Sequence, residues 1–150
     1  MLNINQFNKN TDIGINMKNK IKILRPVVIL VSAFIGWALC GIVMFIGITF
    51  LPLQTTLIIH AVAAPIFFTS ISLVYFKKFN YTTPLLTALI FVTFIIFMDA
   101  FIVALLINKS FDMFINILGT WIPFTLIFLS TYLTGFFINI KKYKKSTAMH

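Results

Sequence analysis

The sequence predicts an all-α integral membrane protein, a four-helix bundle of up-down-up-down topology with both termini in the cytoplasm. Three observations predict it. Four apolar stretches, at about 27–51, 53–76, 83–107 and 113–140, each exceed the ~20 residues that a helix needs to cross ~30 Å of hydrocarbon. The 150 residues are 60% hydrophobic and 10% charged, which leaves too little polar surface to cover a soluble globule. Finally, the basic residues fall on alternate sides of the stretches. Lys9, Lys18, Lys20, Lys22 and Arg25 precede the first, Lys77 and Lys78 follow the second, and Lys141, Lys142, Lys144 and Lys145 follow the fourth, whereas the other side holds only Lys109. Positive residues are retained on the cytoplasmic face, so this asymmetry sets the orientation.

Residues 1–23 are rich in Asn and Lys with little helical periodicity, and read as a flexible basic tail. The transmembrane domain occupies 24–141. Its first apolar run, about 25 residues, is too long for the ~7 to 15 residues of a signal-peptide core, so no cleavage is expected. Within that run Ser32, Gly36 and Cys40 recur at four-residue steps, with Trp37 and Gly41 on the adjoining ridge, a spacing that allows close helix approach. Pro52 alone separates the first two spans, which forces a helical hairpin.

In the second span His60 shares a stripe with Thr56, Ala63, Ala64, Phe67 and Ser70. Pro65 lacks a backbone donor and leaves the Ala61 carbonyl without its usual partner. The short segment 77–84 leads into the third span, which carries Asp99 beside the small residues Ala100 and Ala104. After the outer connection 108–112, the fourth span repeats the proline device: Pro123 frees the Gly119 carbonyl next to Thr120 and Trp121. Thr131 and Thr134 are expected to bond to their own helix or across to another. Residues 142–150 form a basic C-terminal tail.

Asp99 is the one acid within a span, and an ionised carboxylate there costs at least ~2.5 to 3.5 kcal/mol, so it needs a partner or a proton. Counted at ~1.5 Å per residue from the outer helix ends, His60 and Asp99 lie at similar depth, ~10 and ~12 Å. On that count the second and third helices bring the two together as a proton or substrate site. Trp37, Cys40, Thr56, Ala64, Thr120 and Trp121 are the expected lining. The leading functional expectation is a proton-linked transporter or permeation subunit. The alternative is a membrane scaffold or accessory subunit in which the polar pair only fixes helix packing.

Other classes are excluded on residue supply. A single Cys40 rules out an intramolecular disulfide or thiol pair, and one intramembrane histidine rules out bis-histidine haem ligation. No nucleophile or metal cluster is evident, so neither catalysis, metal nor cofactor is expected. The net charge of +9 flanks apolar spans instead of forming a patch on a soluble face, which excludes nucleic acid and favours the anionic cytoplasmic leaflet of the bilayer. Four helices are few for a transporter, so a homo-oligomer or a membrane-protein partner is expected.

Overall fold

Helices connected by short turns make up the computed structural model, which describes the backbone of residues 4–147 and most side chains from Leu24 onward. Helix α1 runs over Ile4–Phe50 and passes through Pro26 without a break, so its first half lies in the segment read from sequence as tail. Leu51 N–H closes on the Gly47 carbonyl at 2.8 Å, and Pro52 follows as the N-cap of α2 (Leu53–Lys78). Proline suits this junction because the first turn of a helix has no use for its missing N–H. Helix α2 continues through Pro65 and ends where Phe79 and Asn80 both donate to the Tyr75 carbonyl, with Asn80 at φ 47°.

Helix α3 (Pro84–Met98) starts on a conventional cap: the Thr83 hydroxyl accepts from Leu86 N–H, and Pro84 occupies the first turn. From Asp99 the hydrogen bonding widens, and Asp99–Asn108 is π-helical. The sequence expectation of an ordinary α-helix to 107 is corrected here. A 3-10 turn, Asp112–Phe114, and a π-helical turn, Ile117–Trp121, lead into α4 (Ile122–Thr147). The fourth helical run therefore begins at Ile117, later than the expected 113, because the Asn116 side chain accepts from Gly119 N–H at 2.9 Å and caps it there. Helix α4 reaches Thr147, across most of the segment assigned to the C-terminal tail; 148–150 lie outside the described residues.

Four helical stretches are long and apolar enough to cross a membrane: Leu24–Phe50, Leu53–Lys78, Pro84–Ile107 and Ile117–Lys144. Around the bundle the order is α1, α2, α4, α3, so α1 and α4 each pack against both α2 and α3. Helices α2 and α3, consecutive in sequence, are diagonal to each other. They meet through large rings, Phe68 against Phe91 at 5.7 Å and Tyr75 against Phe91 at 6.4 Å, all three fully buried. Small residues let the neighbours close in: the Phe68 ring occupies the space beside Gly36, and the Phe76 ring that beside Gly135. Large apolar side chains such as Phe45, Phe50, Leu106 and Ile117 face outward, as they do where the surroundings are lipid.

One end of the bundle is tied by polar contacts. Arg25 lies over the Tyr81 ring at 5.6 Å, Asn80 donates to the Asn139 side chain, and Lys142 Nζ donates to the Phe76 carbonyl at 2.9 Å. That carbonyl belongs to the last turn of α2, which has no intrahelical donor to use. Beside it a hydroxyl chain links Tyr75 to Thr82 and Thr82 to Thr87.

Candidate functional site

Asp99 occupies the residue at which α3 changes from α- to π-helical bonding, and its own N–H is shared between the Ile95 and Ile96 carbonyls. Its side chain turns toward α1. Trp37 Nε1–H donates to Asp99 Oδ1 at 2.8 Å, so the intramembrane acid finds its partner on the neighbouring helix α1. Both residues are half-buried, and Phe34 packs against the Trp37 ring at 5.7 Å. The indole N–H can only donate, which fixes the sense of the pair.

His60 stands apart from it. Gly36 faces Phe68 and Gly47 faces Thr56, so His60 is level with Val43 and Met44 of α1. That is roughly six residues, or about 10 Å, along the helix from Trp37. Among the described residues no hydrogen bond or ion pair joins His60 to Asp99. His60 Nδ1 is buried and has no hydrogen-bond partner. The count from sequence assumed that all outer helix ends lie at one level and that consecutive helices are neighbours. The diagonal placement of α2 and α3 removes the second assumption.

The expected lining residues divide likewise. Trp37 meets Asp99, and buried Cys40 follows one turn later on α1. Thr56 is buried against Gly47 with its hydroxyl bonded back to the Pro52 carbonyl, Ala64 is fully buried in the core, and Thr120 is buried in the π-helical turn. Trp121 faces outward: its Nε1–H donates to the Phe114 carbonyl, and its ring borders an open apolar groove of about 300 Å³ with Ile117, Ile122, Thr125 and Leu126. Neither His60 nor Asp99 lines that groove. No three of the described His, Cys, Asp and Glu residues stand close enough to hold a metal ion together.

Sequence reasoning included Trp37 but not as the partner of Asp99. The available signal was chemical: an indole N–H can only donate, and a lone carboxylate needs a donor. Comparison with protein-family models, with curated proteins and with solved structures gives no match to this chain.

Proposed function

We propose that this chain is a multi-pass protein of the cell membrane that moves protons, as a small transporter or permeation subunit in which Asp99 is the proton-carrying group and Trp37 holds it. In this reading the bundle is up-down-up-down with both termini cytoplasmic. Its support is the clustering of Arg25, Tyr81, Asn80, Asn139 and Lys142 at one end, together with the charge asymmetry of the sequence. The observation that carries the functional part is the Trp37–Asp99 bond: the single intramembrane acid is anchored by one neutral donor and has no cationic partner among the described residues. A carboxyl so placed can take and release a proton without breaking an ion pair, because Oδ1 accepts from the indole in either protonation state. His60 serves as a second polar station, nearer the outer end, and a homo-oligomer supplies the further helices that a continuous path needs.

A second reading is favoured by the same contact. Trp37–Asp99 ties α1 to α3, and a scaffold or accessory subunit would need nothing more from it. Proteoliposomes carrying an entrapped pH-sensitive dye separate the two. Under an imposed membrane potential the wild type should acidify or alkalinise the lumen faster than protein-free vesicles. Asp99→Asn, which still accepts from Trp37 but carries no exchangeable carboxyl proton, should abolish this while leaving the thermal midpoint close to wild type. Wild-type vesicles no leakier than lipid alone would overturn the transport reading in favour of the scaffold.

A further inference from the structure

Seven hydroxyl groups on these helices share one local bond. Ser32, Thr49, Thr56, Ser70, Thr87, Thr125 and Thr134 each donate back to the carbonyl four residues earlier, the usual way for a helix in an apolar medium to satisfy a hydroxyl. Ser72 on α2 and Thr131 on α4 do not. Both side chains are fully buried, and both Ser72 Oγ and Thr131 Oγ1 lack any hydrogen-bond partner.

These two positions also share a level of the interface between α2 and α4. The Phe76 ring of α2 fills the space beside Gly135 of α4, lying 2.6 Å from where a Cβ at Gly135 would stand. One helical turn earlier on each helix, on the same ridge, come Ser72 and Thr131, because residues four apart are stacked along one face. The pairing of α2 with α4 keeps this register one turn further on, where Asn80 is bonded to Asn139. Two fully buried, unpartnered hydroxyls thus lie at one level of one interface.

We propose that Ser72 and Thr131 together bind a small neutral hydrogen-bonding guest, a buried water molecule, that bridges α2 to α4. Each hydroxyl has one proton to give and lone pairs to accept with, so the guest receives from one and donates to the other. Leaving two such groups dry costs more than immobilising one water, and a buried water needs only a few polar partners. The site is independent of Asp99, and stands whether or not the protein moves protons.

Solid-state NMR of the full chain in lipid bilayers tests it through magnetisation transfer from water to side chains. Transfer to Ser72 and Thr131 should build up faster than transfer to Phe68 and Ile127, which are equally buried one turn away and purely apolar. Equal build-up at all four overturns the proposal. Thr131→Val, which exchanges the hydroxyl for a methyl of similar size, should also slow the build-up at Ser72, since the guest loses an anchor; unchanged transfer at Ser72 overturns the shared site. Thermal midpoints give a separate reading. Ser72→Ala and Thr131→Val should each lower the midpoint, and the double variant should fall no further than the worse single one. Strictly additive losses, or midpoints that rise in both singles, overturn a common guest.

Discussion

At Gly36 the close approach of α1 to Phe68 of α2 depends on a missing side chain. A Cβ there would run into the ring of Phe68, a fully buried residue that also packs edge-on against Phe91 and so has nowhere to retreat. Gly41, one turn further on, has nothing within 4 Å of the equivalent position. The two glycines form an internal control. Gly36→Ala should destabilise the fold by about 1–3 kcal/mol, the usual cost of overpacking a filled core. Gly41→Ala should be neutral or slightly stabilising, since alanine favours helix by about 1 kcal/mol where there is room. Thermal unfolding in detergent micelles, with loss of helical circular dichroism as the readout, checks both; equal losses would refute the packing role of Gly36. The small-residue spacing of Ser32, Gly36 and Cys40 was legible in the sequence because close approach has a compositional signature. The partner of Asp99 was not, because which donor reaches an acid depends on helix order around the bundle, and that order is decided by contacts between residues far apart in the chain.

At the scale of elements, Pro52 was read as the break between the first two spans, whereas neither the Asn116 cap nor the π-helices were read. The fourth span was expected from 113, and its helical run starts only at Ile117, behind Asn116. The switch at Asp99 has no such marker: residues Asp99–Asn108 have the composition of any apolar helix. What ends the π segment is visible only in the backbone. Lys109 sits at φ 51°, in the left-handed region that penalises a residue with a Cβ, and from there Lys109 and Ser110 both donate to the Ala104 carbonyl. Lys109→Gly should therefore raise stability, by about 1 kcal/mol, by removing that penalty at an exposed position. Chemical denaturation in mixed micelles measures it. A loss of stability instead would mean that the lysine side chain contributes something at this turn beyond its backbone angles.

For the molecule as a whole, the four apolar spans were legible at once, since bilayer thickness and backbone satisfaction leave a polypeptide few options. Orientation rests on a longer chain of reasoning. Arg25, Tyr81, Asn139 and Lys142 stand at one end, so two of the basic residues that flank the apolar spans, Arg25 and Lys142, meet the same end of the bundle by direct contact. The opposite end offers Lys109 and Asp112, which nearly cancel. In the proposed orientation each lysine or arginine near an anionic leaflet contributes about 1 kcal/mol. Cys40 is buried, so Cys40→Ala gives a background free of thiols in which single cysteines report sidedness. Ser110→Cys should react with a membrane-impermeant maleimide added to intact cells. Tyr143→Cys, beyond the end of the apolar part of α4 and exposed, should react only after the membrane is opened. The reverse pattern would invert the bundle and place the Trp37–Asp99 bond under the opposite sign of membrane potential. Labelling of both cysteines from outside would put Ser110 and Tyr143 on one face, with an even number of crossings between them where the proposed topology has one, and the assignment of α4 as a full crossing would then fail.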